Sequence, residues 1–561
     1  MDNKKQKNHF SFSVAVFLGL LFAMLPNGTF AANIGEVTNF NVASNFEATG
    51  KSQVQAVLIK TASQLNFYVE KSWWETQVPA KQTEIFSNLD TLSTEFNGKI
   101  YPTLTSVFGQ EAKPGVDGDS KITVLFHSLR EGVAGYFRSA DGYLKLQVPE
   151  SNEREMVYLS LVNIENPQLK VFLAHEFTHL IGFNQKDKVR GVFEETWLNE
   201  ARADYSSTIL GYDNTYEGSN LQRRVRDFLA SPADPLTEWK DSKYDYAVVN
   251  LFMHYLEDHY SISILADSLK SKSIGISSLN EVLAKNGENE TFSQIFTNWT
   301  ITTLVNDCSI NLKYCYLNKN LKNLRISPTL NFLPVSGNSS LSVTNVIKNW
   351  AGNWQKIIGG NGDLKLEFSS LAGLDFKVPY LVFDKDNHYT ITFLSLDKNQ
   401  KGVITIKDFG SKYNSLVIIP SLQAKIAGFD GPEFTYPYSF SISISGAVSD
   451  EDQELIQKLL AQIEELKKQI ADLQVVHNGQ GSTCPAIVNN LYIGLQNKAE
   501  VSCLQQFLKN QGGGIYPEGL VTGNFGSLTR AAVIRFQKYY GIITTGYVGI
   551  LTRTKINELL P

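Results

Sequence analysis

The spacing of apolar residues changes along the chain, and each change predicts a different kind of structure. In the first part, apolar residues alternate with polar ones or run together, which is typical of strands. Farther along they recur every three or four positions, which predicts helices. Strands followed by helices indicate an α+β domain with two lobes and a cleft between them. The predicted strands are 53–68, 121–126 and 156–162, and the predicted helices are 82–100, one beginning near 167, 221–229, 246–259, 262–269, 277–285 and 292–306.

Two further segments border this domain, which we expect to span 50–325. The residues at 33–50 are small and polar, and they predict an unstructured lead-in. From 326 to 447, short strands recur every eight to twelve residues with turn residues between them, which predicts a β-sandwich domain. The β-sandwich segment has no cluster of titratable residues, which favours a scaffold role over carbohydrate binding.

A charged, glycine-free segment follows at 449–474, with apolar residues at heptad spacing. Isoleucine at one heptad position and leucine at the other favours a parallel two-stranded coiled coil, and hence a parallel homodimer. A solvated helical stalk is the alternative, because only about two and a half heptads are present. The isoleucines are Ile456, Ile463 and Ile470, and the leucines are Leu459, Leu466 and Leu473.

The N-terminus has the pattern of an export signal. Basic residues at 4–7 precede an apolar run at 11–25, and small residues follow at Ala31 and Ala32. This predicts a signal peptide at 1–32 and a secreted, extracellular or wall-associated protein; an uncleaved anchor is the alternative. Export permits disulfides, and we expect the four cysteines to pair locally, Cys308 with Cys315 and Cys484 with Cys503.

Charge argues against a nucleic-acid partner. The chain of 561 residues has 51 Lys and Arg against 56 Asp and Glu, a net charge of −5, and it has no basic patch. At this length we expect several domains.

The candidate chemistry lies in the helix that begins near 167. This helix is apolar and contains His175-Glu176-x-x-His179. Positions four apart share a helix face, so the two imidazoles can bind one metal ion, and Glu176 can reach a water on that metal. The alternative is two surface histidines with a glutamate paired to them.

A second helical segment supplies the missing ligand. Glu200 lies twenty-one residues after His179, and two histidines with one glutamate form a catalytic zinc set with an open position. Asp204 lies one turn after Glu200, where it can accept a hydrogen bond from His175, as metal-bound histidines usually require. Pro114-Gly-Val-Asp-Gly-Asp119 is a weaker candidate for calcium, and a simple turn is favoured there.

Five stretches resemble the hyicolysin-like gluzincin zinc metallopeptidases. They are Pro114-Gly-Val-Asp-Gly-Asp119, Ser151-Asn-Glu-Arg-Glu-Met156, Ala174-His-Glu-Phe-Thr-His179, Trp197-Leu-Asn-Glu200 and Tyr246-x-x-x-x-Leu-Phe252. The resemblance implies a zincin-type α+β domain with a helical lobe. It also implies zinc bound by His175, His179 and Glu200, with Glu176 as general base.

The same resemblance favours an endopeptidase. The related aminopeptidases carry a Gly-x-Met-Glu-Asn signature that is absent from this chain. Tyr246 is the first candidate for the group that stabilises the oxyanion, and Tyr244 is the second; the family usually has glycine where this chain has Ala247. The strand at 156–162 is expected to offer an edge for an extended peptide substrate.

The C-terminal segment, 484–561, has glycine turns and apolar helix faces that predict a small three-helix module. Its Leu-Gln, Gly-x-Phe-Gly-x-x-Thr, Ala-Val-x-x-Phe-Gln and Val-Gly-x-x-Thr blocks resemble the peptidoglycan-binding domain of cell-wall enzymes. The leading hypothesis is therefore a secreted, wall-associated zinc endopeptidase for protein or peptide substrates. The alternatives are a peptidase of peptidoglycan cross-links and a catalytically inactive, wall-anchored adhesion protein.

Overall fold

A computed structural model describes residues 33–335, 337–429, 431–445, 458–467, 484, 486–495, 498–512 and 514–560. The described residues fall into two compact units, which lie before and after residue 450. The predicted signal peptide at 1–32 and most of the predicted coiled coil lie outside the described residues.

The first unit begins with a six-stranded sheet in the order β1-β2-β3-β4-β6-β5. The three strands β3, β4 and β6 are parallel, and β5 is antiparallel to β6. Both β4 and β6 are buried along their whole length, which fits strands covered on both faces. The strands are β1 Val37–Asn41, β2 Gln53–Thr61, β3 Leu65–Glu70, β4 Ile122–His127, β5 Gly135–Phe137 and β6 Met156–Ser160.

Two predictions about this sheet were wrong. The lead-in at 33–50 contains β1, which pairs with β2 and buries Phe40 in the core; one apolar residue among polar neighbours gives too weak a pattern to show a strand. The strand at 156–162 is not an edge, because β6 lies between β4 and β5. The edge is the three-residue strand β5, which is too short to show an alternating pattern.

Ten helices cover the sheet and form the second lobe in the described part of the first unit. The five helices predicted after residue 204 are confirmed as α6 to α10. A capping box between Ser242 and Asp245 starts α7, and this satisfies the first backbone amides of that helix. The helices are α1 Lys71–Trp74, α2 Pro79–Glu95, α3 Tyr101–Phe108, α4 Leu169–Phe183, α5 Thr196–Ile209, α6 Asn220–Ala230, α7 Lys243–Tyr260, α8 Ser263–Leu269, α9 Gly275–Lys285 and α10 Phe292–Val305.

The predicted β-sandwich is instead one continuous nine-stranded sheet, nearly closed like a barrel. Its path is β13-β12-β15-β14-β10-β17-β8, and β9 joins β15 to β7. Strand spacing is similar in sandwiches and barrels, so the apolar pattern could not show how the strands close. The strands are β7 Thr329–Leu333, β8 Ser339–Ile347, β9 Gln355–Gly359, β10 Gly362–Ser370, β12 Pro379–Asp384, β13 Tyr389–Phe393, β14 Lys401–Phe409, β15 Tyr413–Ile418 and β17 Tyr436–Ser445, with a small sheet of β11 Phe376–Lys377 and β16 Ser421–Leu422.

The barrel-like sheet shares a hydrophobic core with the helical lobe. Trp350 packs edge-to-face on Phe292 and Phe296, with ring centroids 5.0 and 5.4 Å apart. The indole nitrogen of Trp354 donates a hydrogen bond to the Thr300 carbonyl at 2.9 Å. Phe429 belongs to the same core. The hydrophobic core is therefore continuous across the domain boundary that was predicted at 325/326.

The second unit contains α11 at 458–467 and three further helices, α12 Lys498–Asn510, α13 Ser527–Tyr539 and α14 Ile550–Leu559. In α11, Leu459, Ile463 and Leu466 are exposed. The predicted homodimer stays a prediction. Both local disulfides, Cys308–Cys315 and Cys484–Cys503, are confirmed. Every helix in the described part of the chain is too short or too polar to reach across a bilayer.

An internal repeat organises α12 to α14. The amide oxygen of Gln505 on α12 accepts hydrogen bonds from Thr522 and Gly523, and its nitrogen donates to Thr529 at 2.8 Å. On α13, Gln537 repeats this pattern with the backbone amide of Gly546 at 2.8 Å and the Thr552 hydroxyl at 3.0 Å. Each buried glutamine thus satisfies the polar groups of a Thr-Gly-x-x-Gly-x-x-Thr loop, at 522–529 and 545–552.

Removal of the Trp350 side chain should destabilise the whole first unit. We expect Trp350→Ala to lower the free energy of unfolding by about 3–5 kcal/mol, because it opens a cavity in the shared core. Urea unfolding followed by fluorescence and circular dichroism measures this. Phe434→Ala is the control, since the Phe434 side chain is 79% exposed. An unchanged midpoint for Trp350→Ala would show that the two parts are energetically independent.

Candidate metal centre

Helices α4 and α5 bring the three predicted ligands together. The Nε2 atoms of His175 and His179 lie 3.2 Å apart. The carboxylate of Glu200 reaches both, with its Oε2 3.2 Å from His175 Nε2 and its Oε1 3.4 Å from His179 Nε2. All three ligand atoms lie within 4.8 Å of one another.

The chemistry of these side chains fits a zinc ion. Two imidazole nitrogens and one carboxylate oxygen form the donor set of a catalytic zinc site. Oε2 of Glu200 is buried without a hydrogen bond, and two ring nitrogens point at each other where a cation would satisfy both. Burial opposes ionisation of the pair, yet the attraction between Glu200 and His179 raises the pKa of His179 to about 9. The arrangement therefore stabilises positive charge at this position.

Glu176 lies on α4, next to His175 in the chain, and is buried. Burial raises the pKa of its carboxyl group, against the lowering effect of the two histidines. Strand β5 passes close above it. A Cβ atom added at Gly135 would lie 3.1 Å from Glu176 Oε1 and 2.7 Å from the carbonyl oxygen of Tyr158. Glycine at 135 thus permits the close approach of the edge strand to the helix.

Gly135 and Phe137 are site residues that were not predicted from the sequence. The ring of Phe137 stacks on that of His179, with centroids 6.5 Å apart. No sequence signal marked either residue, because β5 is only three residues long.

Asp204 lies on α5 in a network of buried polar groups. Its carboxylate accepts hydrogen bonds from Arg224 Nε at 3.0 Å and Asn250 Nδ2 at 2.8 Å, and Asn220 also donates to it. Burial would raise the pKa of Asp204, but Arg224 and, more weakly, His175 lower it. Among the described residues, no hydrogen bond joins Asp204 to His175. The interaction between Asp204 and His175 in this structure is therefore electrostatic.

Tyr246, and not Tyr244, lies at the cluster. Its ring centroid is 6.2 Å from that of His175, and its hydroxyl donates to Asp241 Oδ1 at 3.4 Å. Arg224 lies over the same ring at 4.7 Å. Burial, with the negative charges of Glu200 and Asp241, raises the pKa of Tyr246 well above its usual value. The hydroxyl is therefore protonated and can donate a hydrogen bond.

Arg224 is a third residue at the site that was not predicted from the sequence. It joins Asp204 to Tyr246, so one guanidinium fixes a residue of α5 relative to a residue of α7. The sequence around it offered a weak signal only, a basic stretch within an otherwise amphipathic helix at 221–229.

Polar contacts of Glu194 and Glu195 fix the N-terminal end of α5. The Glu194 carboxylate pairs with Arg202 at 2.8 Å. The Glu195 carboxylate accepts hydrogen bonds from the indole of Trp197 at 2.8 Å and from the backbone amide of Gly428 at 3.0 Å. Gly428 belongs to the barrel-like domain, so that domain directly contacts the turn that precedes Glu200.

The loop considered for calcium uses its polar groups within the protein. Asp117 accepts a hydrogen bond from the Asp119 amide, and Glu155 accepts one from the Val116 amide, both at 2.9 Å. Within the described residues, this loop contributes to no group of three metal-ligating side chains. These contacts favour the simple turn.

Comparison with known proteins bears on the second unit. Residues 497–556 match the family model described as "Putative peptidoglycan binding domain". The match covers α12, α13 and most of α14, with both loops of the repeat. It confirms the predicted resemblance of this segment, and it supports peptidoglycan binding and association with the cell wall. No curated protein matches the chain.

Solved structures add no further evidence of kinship. The Yersinia pseudotuberculosis-derived mitogen is 12% identical, with 20% of this chain and 92% of that chain covered and a TM-score of 0.14. PliG of Aeromonas hydrophila, a periplasmic inhibitor of g-type lysozyme, is 12% identical over 21% and 100%, with a TM-score of 0.15. The pre-peptidase C-terminal domain of Bacillus anthracis collagenase is 6% identical over 21% and 96%, with a TM-score of 0.14. TM-scores this low do not indicate a shared fold.

Addition of one methyl group at Gly135 should disturb the contact between β5 and α4. We expect Gly135→Ala to lower the free energy of unfolding by about 1–3 kcal/mol, because the new Cβ meets backbone on one side and Glu176 on the other. Chemical denaturation measures this. Gly98→Ala is the matched control, since a Cβ there meets no atom within 4 Å. Equal stability of the two variants would contradict the close approach.

Proposed function

We propose that the chain is a zinc-dependent endopeptidase that is held at the cell wall by residues 497–556. The observation that carries the proposal is the meeting of His175, His179 and Glu200 beside the buried Glu176. Two histidines and two glutamates that lie close together where α4 packs on α5 are costly to bury unless they serve a metal or a reaction.

In this proposal His175, His179 and Glu200 hold the zinc. When bound, zinc lowers the pKa of a coordinated water and polarises the carbonyl of the scissile bond. Glu200 is fixed relative to both histidines by the packing of α5 on α4, and its helix is fixed in turn by Glu194 and Glu195. This rigidity sets the geometry that a catalytic zinc site requires.

Glu176 acts as the general base. Its carboxylate takes a proton from the attacking water and then gives it to the leaving nitrogen of the cleaved bond. Burial raises its pKa, and a raised pKa brings the carboxyl group nearer to the value at which it can both accept and return a proton at neutral pH.

Tyr246 supplies a hydrogen-bond donor to the oxyanion that develops on the substrate carbonyl. Its hydroxyl is protonated and points to Asp241 in the free protein. On binding, the substrate oxygen takes the place of Asp241 as acceptor. Arg224 and Trp239 hold the ring, through a cation–π contact and an edge-to-face contact with centroids 4.8 Å apart.

The substrate enters as an extended peptide along β5. Among the described strands, β5 pairs with β6 on one side only, and its other side is free to form backbone hydrogen bonds with a peptide. Since β5 lies above Glu176, a peptide paired with it passes the base and the three ligands.

A peptidase of peptidoglycan cross-links is the second candidate, because the wall-binding module would bring the site to such peptides. Incubation of the exported protein with casein and with purified sacculi separates the two candidates. Release of peptides from casein alone supports the endopeptidase, and release of cross-link peptides from sacculi supports the alternative.

Glu176→Gln should separate metal binding from catalysis. We expect about one zinc per chain in both wild type and variant, and a loss of casein hydrolysis of about 10²–10⁴-fold in the variant, since the amide cannot accept the proton. Elemental analysis and a casein assay measure these quantities. A wild-type protein that remains metal-free after reconstitution with zinc would contradict the proposal. Unchanged hydrolysis by the variant would remove Glu176 from the role of base.

Tyr246→Phe and Tyr244→Phe form a matched pair. We expect Tyr246→Phe to lower kcat by about 10²–10³-fold, with little change in KM or zinc content, because the hydroxyl acts mainly in the transition state. Tyr244→Phe should behave like wild type. Reversal of the two results would move the oxyanion role to Tyr244.

A further inference from the structure

We propose that the glycan strand of peptidoglycan, with its stem-peptide carboxylates, binds an open cleft at the C-terminal end of α13. The cleft has a volume of about 580 Å³ and is lined by residues of the α12–α13 connection and of the last turn of α13. Its lining includes Arg535, Lys538, Tyr539 and Tyr540. This inference rests on the wall-binding role proposed above for residues 497–556, concerns the second unit alone and does not depend on the metal centre.

The first observation is an aromatic pair at the cleft, in which Tyr539 is exposed and Tyr540 is half-buried. The Tyr539 side chain is 74% exposed, and its ring meets that of Tyr540 edge-to-face, with centroids 4.9 Å apart. Tyr540 is fixed from behind by Phe536, 4.7 Å away. Exposure of a large ring on a fixed support has no packing benefit for the fold. It offers a flat apolar surface to the C–H face of a pyranose ring, with a hydroxyl at its edge for hydrogen bonds.

The second observation is the charge beside the aromatic pair. In the described part of this unit, the ion pairs join Lys467 to Glu464, Arg535 to Glu518 and Lys555 to Glu558. Lys538 takes part in none of them, and it lines the cleft on the helix turn of Tyr539. A lysine without an acidic partner, next to an aromatic ring that can stack on a sugar, is complementary to a glycan that carries carboxylates.

The polar floor of the cleft is fixed before any ligand arrives. The Arg535 guanidinium donates to the Ile515 carbonyl at 2.8 Å, and the Tyr540 hydroxyl donates to Gln511 at 3.3 Å. These bonds join α13 to the preceding connection, so the cleft keeps its shape and binding need not order it.

A second exposed aromatic pair on the same unit provides a control. Tyr492 and Tyr547 stack with centroids 6.1 Å apart and are 48% and 40% exposed. The loop of Tyr547 passes next to Arg530 and Ile534, nearer the start of α13 than Tyr539. The nearby arginines are used within the fold, since Arg530 donates to Thr545 and Arg553 to Asn490.

Sedimentation of the full-length protein with purified sacculi tests the proposal. We expect Tyr539→Ala to weaken binding about fivefold or more, as expected for an anchoring aromatic, and Tyr539→Phe to retain most of it. Lys538→Gln should weaken binding at low salt and remove most of its salt dependence. Tyr492→Ala should bind like wild type.

Insoluble chitin, a polymer of N-acetylglucosamine without carboxylates, distinguishes the two parts of the ligand. On chitin, Tyr539→Ala should still weaken binding, whereas Lys538→Gln should equal wild type. Wild-type binding by both Tyr539→Ala and Lys538→Gln on intact sacculi would overturn the proposal, as would loss of binding by Tyr492→Ala instead. If circular dichroism shows Tyr539→Ala to be unfolded, the exposed Lys538→Gln decides the outcome.

Discussion

Burial of charge is the constraint on which the first unit depends. Carboxylates and imidazoles on α4 and α5 lie where water is largely excluded, and a buried charge without a partner costs several kcal/mol (~3–5). Three of the carboxylates in and next to these helices have partners inside the protein: Glu200 has two histidines, Asp204 has Arg224, and Glu194 has Arg202. The helices can pack closely only when these pairs form together, so the fold and the site are set by the same contacts.

The pairs also connect elements that are distant in the chain. Arg224 on α6 contacts Asp204 on α5 and Tyr246 on α7, while Glu195 contacts Gly428 in the barrel-like domain. Each element that carries a site residue is thus attached to at least one other by a buried polar contact. Tight apolar packing alone would not select one rotation of α5 about its axis, whereas these directional bonds do.

The sequence predicted that His175, His179 and Glu200 lie together, because their spacing on helices determines their geometry. It predicted the parallel strands β4 and β6 and the helices α6 to α10 from their apolar periodicity. It did not reveal β5, Arg224 or the closure of the nine-stranded sheet. A three-residue strand is too short to show an apolar period. The partner of the buried Arg224, Asp204, lies twenty residues away in the chain. Closure of the sheet depends on hydrogen bonds between strands whose apolar and polar residues all alternate in the same way. The repeat that contains Gln505 and Gln537 was present in the sequence, but the role of the two glutamines became visible only from their hydrogen bonds to the following loops.

The contact between Glu195 and Gly428 restricts where such a chain can be cut without loss of structure. Exposed loops and chain termini are the usual sites of proteolysis. Here, a cut between α10 and β17 would open the core around Trp350 and release the turn before Glu200. A cut that leaves the first unit intact is therefore confined to the segment before β1 or to the segment between the two units. A cut between the units would separate the first unit from the peptidoglycan-binding match without altering the cluster of His175, His179 and Glu200.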